Sequence, residues 1–171
     1  MKARYITAML AALAVACSDD PLSPIPTANL GTCTNLQAEA GAQQIAHVFA
    51  TGVQIYRWDG NVWTLMSPAA VLTSDAAGSR TVGLHYQGPT WEGIAGSKVT
   101  ATGAATCTPD PNAVAWLLLN ATATNEAGIF AGATQIQRVN TVGGKAPATG
   151  GTSVGQLVSV PYSAEYFFYK K

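Results

Sequence analysis

The stretch from His85 to Gly93 carries the densest set of side chains able to do chemistry in this sequence. It places an imidazole, an amide, two aromatic rings and a carboxylate around a Gly-Pro turn. In an extended strand His85 and Gln87 point to the same face, and Trp91 and Glu92 begin the segment after the turn. Polar groups beside a flat indole suit sugar-like or peptide ligands, so this stretch is the first candidate binding site.

Two other readings of the same stretch stay open. In a structural reading Trp91 fills the core, and Glu92 pairs with Lys98 or Arg138. In a catalytic reading His85 and Glu92 form an acid/base pair, as in a hydrolase. No serine, threonine or cysteine in a recognisable nucleophile setting accompanies that pair, so catalysis is the weaker alternative.

Motifs that would reveal a cofactor or a metal are missing from the sequence. It contains no glycine-rich dinucleotide turn, no P-loop, no GxSxG and no HExxH. The two histidines, His47 and His85, have no carboxylates at the spacing of a metal-binding triad. We therefore expect neither a cofactor nor a transition metal.

The segment 134–141 is the second candidate region. Gln137 lies on one face of the predicted strand and Arg138 on the other. Such groups in a β protein usually hydrogen-bond to loop carbonyls. Alternatively, Arg138 reaches Glu92 or the carboxylate of a ligand.

The composition excludes a nucleic-acid partner and favours a β protein. Charged residues make up 11% of the chain, and the 9 basic residues form no cluster that could follow a phosphate backbone. Small residues such as glycine, alanine and threonine are abundant instead. This composition is typical of a β domain outside the cytoplasm.

The N-terminus predicts export. Residues 1–16 have a basic start and a short apolar core, as in a signal peptide. Leu13–Cys17 resembles a bacterial lipobox, which predicts lipidation of Cys17 and attachment to a membrane through acyl chains. Ser18 after the cysteine favours the outer membrane. The alternative is ordinary signal cleavage that leaves Cys17 as a free thiol.

The rest of the chain predicts one domain behind a tether. Residues 17–42 form a proline-rich lipidated tether, and residues 43–171 form a β domain that we expect to be monomeric. Short β-prone runs alternate with turn signals, which predicts an all-β, antiparallel β-sandwich or distorted β-barrel. The predicted strands are Ile45–Phe49, Val53–Trp58, Val62–Met66, Thr81–Tyr86, Lys98–Thr102, Trp116–Thr122, Thr134–Val139, Leu157–Val160 and Glu165–Tyr169.

Three local patterns refine this prediction. Asp59-Gly60-Asn61 between two aromatic-rich runs indicates a hairpin turn. The run Trp116–Leu119 is apolar at every position, which indicates a central strand buried on both faces. Helical structure is compatible only with 36–50 and 112–117.

Several segments of the chain form a recognisable series: Gly52–Tyr56, His85–Glu92, Trp116–Leu119, Ile136–Val139, Gly143–Pro147 and Val160–Ala164. Together they resemble the DUF3455 family of secreted bacterial and fungal proteins, which is described only as a domain of unknown function. The resemblance spans roughly residues 50–169 and carries no established activity to this chain.

The departures from the family concern cysteines. Members commonly carry one after the first segment and another after the Gly-Gly-x-Ala-Pro loop, where this chain has Trp58 and Gly151. This chain has Cys33 and Cys107 instead, and export makes a disulfide between them the expected state. Two free thiols are the alternative.

Together these observations predict an envelope lipoprotein that is a non-catalytic ligand-binding or structural module. The candidate binding residues are His85, Gln87, Trp91, Glu92, Gln137 and Arg138, and the candidate ligand is a glycan or a cell-wall fragment. The rival prediction is an extracytoplasmic hydrolase-like enzyme that uses His85 and Glu92.

Overall fold

The computed structural model describes residues 26–125 and 127–171, in which eight β-strands and one short 3₁₀ turn form the secondary structure. No α-helix occurs within these ranges, so the helical alternatives for 36–50 and 112–117 are wrong. The strands are β1 (Gln43–Trp58), β2 (Trp63–Thr73), β3 (Thr81–Tyr86), β4 (Thr90–Gly93), β5 (Lys98–Cys107), β6 (Trp116–Thr124), β7 (Gln135–Gly143) and β8 (Leu157–Lys170).

The eight strands form one closed sheet. Each strand pairs antiparallel with the next along the chain, and β8 pairs with β1 to complete the ring. The all-β, antiparallel prediction is therefore confirmed, and of the two predicted architectures the closed barrel is the one observed. Closure leaves the sheet without an edge strand that could pair with another chain.

Strand ends differ from the prediction where glycine or proline suggested a break. β1 runs through Gly52, where β2 approaches so closely that a Cβ atom would lie 2.1 Å from the Ala69 carbonyl oxygen. β8 runs through Pro161, whose carbonyl accepts a hydrogen bond of 2.8 Å from the Gly144 amide. These residues allow the neighbouring strands to approach rather than ending their own strand.

We call the two ends of the barrel the mouth and the base. The mouth carries the connections β1–β2, β3–β4, β5–β6 and β7–β8, and the base carries β2–β3, β4–β5 and β6–β7. The interior near the base is apolar and buried, with the Phe130 and Phe168 rings stacked at 4.2 Å and Leu72 and Val99 beside them in the same core.

Residues 26–42 lie against the outside of the barrel. Leu36 is buried there with Leu118 of β6, and the Leu36 carbonyl accepts a 2.6 Å hydrogen bond from the Gln137 amide. Cys33 and Cys107 form the expected disulfide, which closes a loop with a sequence separation of 74 residues. Closing a loop of that length contributes about 4 kcal/mol to stability in the chain-entropy model.

This outer covering explains the apolar run in β6. Leu117 and Leu119 face the barrel interior, and Leu118 packs beneath residues 26–42, so the prediction of a strand buried on both faces is confirmed.

No helix in 26–125 or 127–171 is long and apolar enough to cross a membrane.

Candidate functional site

The hairpin of β3 and β4 carries the first candidate site into the barrel. His85 and Trp91 are directly opposite each other on the paired strands, and both side chains face the interior. Their rings are stacked 4.3 Å apart with an angle of 10° between the planes. Gly88, with φ of 93°, provides the positive φ in the turn that joins the two strands.

His85 is held as a neutral imidazole. Its Nδ1 lies 2.8 Å from the Thr90 carbonyl oxygen, which only accepts, so Nδ1 carries the proton. The pKa of His85 is lowered to about 4, mainly because a charged ring would lose its hydration on burial and to a smaller extent because of the positive charge of Arg138. At neutral pH the Nε2 atom is therefore a hydrogen-bond acceptor.

Glu92 lies on the opposite surface of the same hairpin. It accepts a hydrogen bond from the Tyr86 hydroxyl and pairs with Lys98 at 3.1 Å, both outside the barrel. The Tyr86 and Lys98 contacts lower the pKa of the Glu92 carboxyl. Because the sheet separates Glu92 from His85, the structure does not bring the proposed acid/base pair together.

The second candidate segment is also divided by the sheet. Gln137 is buried outside the barrel beneath residues 26–42, where Tyr169 donates a 2.6 Å hydrogen bond to its oxygen. Arg138 lies inside, and its Nε and Nη2 donate to the Ala115 carbonyl at 3.1 and 2.8 Å. The hydrogen bonds from Gln137 to the Leu36 carbonyl and from Arg138 to the Ala115 carbonyl match the structural reading of this segment.

A cavity of about 450 Å³ opens at the mouth and brings four of the six candidate residues together. His85, Trp91 and Arg138 line its wall, and Gln87 lies at its rim, whereas Glu92 and Gln137 are not part of it. We call this cavity the mouth pocket. Its lining consists of Gln54, Leu65, Met66, Ser67, Pro68, His85, Gln87, Gly88, Pro89, Trp91, Leu117, Leu119, Arg138 and Tyr166.

Several buried polar atoms of this wall make no hydrogen bond to the described part of the chain. They are Nε2 of Gln54, Nε1 of Trp91 and the hydroxyl of Tyr166; this hydroxyl has no partner at hydrogen-bond distance, although Tyr162 and Arg138 lie near enough to act on its pKa. Burial raises the pKa of Tyr166, so its phenol stays protonated at neutral pH. Native proteins leave few buried polar groups without a partner, and such groups concentrate at functional sites.

Gln54, Tyr166, Leu65 and Met66 were not singled out from the sequence. The signal for two of them was alternation along a strand: Gln54 shares a face with the buried Ala50 of β1, and Tyr166 shares one with Phe168 of β8. Met66 is the unpaired residue of an irregular register between β1 and β2 and Leu65 is next to it, and no sequence pattern revealed this irregularity.

The segments that carry the family resemblance converge on this region. Gln54, Trp91 and Arg138 come from three of them and line the same pocket. Tyr162, from a fourth, is buried in the same core cluster, and the Arg138 charge influences its pKa, which burial raises. The mouth pocket is thus where the separate motifs meet in space.

His47, the other histidine, lies outside the barrel. Its Nε2 is 2.7 Å from a Glu165 oxygen, and its ring stacks on Phe167 at 4.0 Å. In the part of the chain that the structure covers, no three His, Cys, Asp or Glu side chains are grouped to hold a metal ion. The predicted signal peptide 1–16 and lipidation site Cys17 lie outside the described residues.

Comparison with known proteins gives one match. No curated protein and no solved structure is significantly similar to the chain. The model of the family described as "Protein of unknown function (DUF3455)" matches residues 26–170, which is nearly the whole chain. This match agrees with the resemblance of the segments that meet at the mouth pocket, and the chain belongs to the DUF3455 family.

Proposed function

We propose that this protein is a non-catalytic binding module of the bacterial cell envelope that holds a small molecule in the mouth pocket. The observation that carries the proposal is the pocket wall, where Gln54, Trp91 and Tyr166 present buried polar atoms without a partner in residues 26–125 and 127–171. A ligand with complementary polar groups would satisfy these atoms.

The size and lining of the pocket support this proposal. A volume of about 450 Å³ falls within the range of small-molecule sites, which combine apolar walls with a few placed polar groups. Leu65 and Met66 are exposed at the rim, 49% and 41%, although both line the pocket. They would lose contact with water when a ligand enters, and this loss would favour binding.

The position of Trp91 favours a ligand other than a sugar stacked on the indole. His85 covers one face of the ring, and the edges of Tyr166 and Phe168 enclose it further, so Trp91 is 1% exposed. Sugar stacking needs an open aromatic face. Glycans and cell-wall fragments therefore remain candidates only if one end of the molecule enters the pocket without stacking on the indole ring.

The experiment is a binding titration with N-phenyl-1-naphthylamine, a neutral apolar dye, on the Cys17→Ala protein, which cannot be lipidated. Met66→Trp places a bulky ring at the rim, and Val71→Trp on the outer face of the same strand is its control, since Val71 is similarly exposed at 42%. We expect at least a tenfold weaker affinity for Met66→Trp and an unchanged affinity for Val71→Trp. Equal affinity in all three proteins would contradict the proposal.

The envelope address is part of the same proposal. Residues 1–16 would be removed on export, and Cys17 would carry acyl chains that anchor the protein in the outer membrane. The Cys33–Cys107 disulfide supports an oxidising compartment. Pro26, the first described residue, lies at the base, the end opposite the mouth, where its carbonyl accepts a 3.0 Å hydrogen bond from Gln44.

Radiolabelled palmitate distinguishes lipidation from ordinary cleavage. The wild-type protein should be labelled and fractionate with the outer membrane, and Cys17→Ala should lose the label. Ser18→Asp should keep the label but move the protein to the inner membrane. Equal labelling of the wild type and Cys17→Ala would overturn the proposed anchor.

A further inference from the structure

We infer that the mouth pocket selects an apolar molecule with a single carboxylate, and that Arg138 binds this carboxylate. The inference rests on the proposed function, because it names the class of ligand that the same pocket takes. It depends on the charge of one wall residue and on the character of the groups around it.

Arg138 brings a permanent positive charge into the pocket wall. Its Nε and Nη2 donate to the Ala115 carbonyl, which carries no net charge, and no carboxylate among the residues described lies within 4.0 Å of the guanidinium. A partly buried cation without a counterion is unfavourable, since its lost hydration is not replaced by an opposite charge. An anion in the pocket would remove this penalty.

The groups around Arg138 do not neutralise it. The charge of Arg138 acts on the pKa of four titratable neighbours, His85, Tyr56, Tyr162 and Tyr166. Burial keeps His85 unprotonated and raises the pKa of the three tyrosines, so all four are neutral at pH 7. The pocket therefore has a net positive charge.

The unpartnered polar atoms of the wall favour an acceptor. The Trp91 Nε1 and Gln54 Nε2 atoms are hydrogen-bond donors without acceptor capacity, and the Tyr166 hydroxyl can also donate. A carboxylate offers only acceptors, on two oxygens, and matches the guanidinium geometry. An ammonium group would meet the Arg138 charge and these N–H donors, with acceptors only at His85 Nε2 and the Tyr166 hydroxyl.

The remaining wall is suited to an apolar body. Leu65, Met66, Pro68 and Leu117 line the pocket on the side of β2 and β6. The volume of about 450 Å³ is roughly three times that of a cavity that binds benzene. One fused ring pair or a short acyl chain would fit into it behind the carboxylate.

The test is calorimetric titration of the Cys17→Ala protein with a matched set of probes at pH 7: 2-naphthoate, 2-naphthamide and 2-naphthylmethylammonium. They share the ring system and differ in charge. We expect 2-naphthoate to bind at least tenfold more tightly than the amide, and the ammonium compound not to bind. Raising the salt concentration should weaken the binding of naphthoate and leave the amide unchanged.

Arg138→Gln removes the charge and should give naphthoate and naphthamide equal affinities. Arg80→Gln, at an exposed arginine of the β2–β3 connection, is the control and should preserve the preference. If Arg138→Gln lowers the melting temperature too far for titration, Arg138→Lys keeps the charge without the planar fork. It should retain a preference for naphthoate over the amide, but a smaller one than the wild type.

The outcomes separate this inference from the proposed function. If the amide binds as tightly as naphthoate, the pocket binds ligands but does not select a carboxylate, and only the inference fails. A preference that survives in Arg138→Gln also contradicts it. If none of the probes nor the neutral dye binds, both proposals fail.

Discussion

The two halves of the barrel interior, which are built by the same eight strands, have opposite characters. The base half contains stacked phenylalanines and leucine and is buried, whereas the mouth half contains Arg138, His85 and amide and hydroxyl groups around a cavity. Strand β2 shows the contrast within one element. Its Leu72 is 0% exposed and its Leu65 is 49% exposed, although both belong to the inner surface.

This difference indicates a division of labour along the barrel axis. Tight apolar packing at the base stabilises the closed sheet, so the mouth need not contribute as much to folding. The mouth keeps polar groups without partners among the described residues, and such groups lower stability. Residues retained at a thermodynamic cost are expected where a ligand binds.

The largest expected effect comes from truncating the same residue type in each half. Leu72→Ala should lower the free energy of unfolding by about 3 kcal/mol, because it leaves a cavity in a fully packed core. Leu65→Ala should lower it by less than about 1 kcal/mol, because this side chain is already half in water. Urea unfolding at pH 7 measures both.

The same pair of variants should reverse in a binding measurement. Leu65→Ala should weaken the binding of the neutral dye and of naphthoate alike, since it removes part of the apolar wall. Leu72→Ala should leave both affinities unchanged as long as the variant is folded. Similar losses of stability for the two variants would show that the halves do not differ as described.

The fold was largely accessible from the sequence because alternation determines which side of a strand is buried. The apolar strand Trp116–Leu119 and the hairpin at Asp59–Asn61 were both predicted and are observed. The choice between sandwich and barrel was not accessible, because it depends on whether β8 reaches β1. That is a long-range pairing without a local signal.

The site was predicted only in part, and for a related reason. A contiguous motif suggested that His85 and Glu92 act together, but the pleat and the turn put them on opposite faces of the hairpin. Conversely, Gln54 and Arg138 are far apart in sequence and line one pocket. Trp58 and Gly151, which stand where members of the family carry cysteines, are adjacent in space: a Cβ atom at Gly151 would lie 2.6 Å from the Trp58 indole.

The second effect concerns the response of the mouth to pH. Because burial holds the pKa of His85 at about 4 in the folded protein, against 6.5 for an unperturbed histidine, the unfolded chain binds a proton first as pH falls. The contribution of neutral His85 to the free energy of unfolding is complete above pH 6.5 and is lost as the pH falls to about 4. Between pH 7 and 4.5 the loss should be about 2 kcal/mol.

His85→Phe keeps a ring against Trp91 and removes the titrating group. The difference in unfolding free energy between pH 7 and 4.5 should therefore be about 2 kcal/mol smaller in this variant than in the wild type. The carboxylates that also titrate in this range are common to both proteins and cancel. An identical pH dependence would mean that His85 is solvated and that the mouth is open to water at this depth.

The smallest effect tests how much an unpartnered polar group lowers the free energy of unfolding. It compares two glutamines that are almost equally buried, Gln54 and Gln137. Gln137 has hydrogen bonds at both ends of its amide, from Tyr169 and to Leu36, whereas the Gln54 nitrogen has none within the described chain. Gln54→Leu should raise the free energy of unfolding by about 1 kcal/mol, and Gln137→Leu should lower it by at least as much. The affinity for naphthoate should change differently from stability. Gln54→Leu should weaken naphthoate binding, and Gln137→Leu should not, because Gln137 lies outside the barrel. If Gln54→Leu is destabilising instead, its amide already has a partner such as a bound water, and the mouth pays no penalty that a ligand must remove.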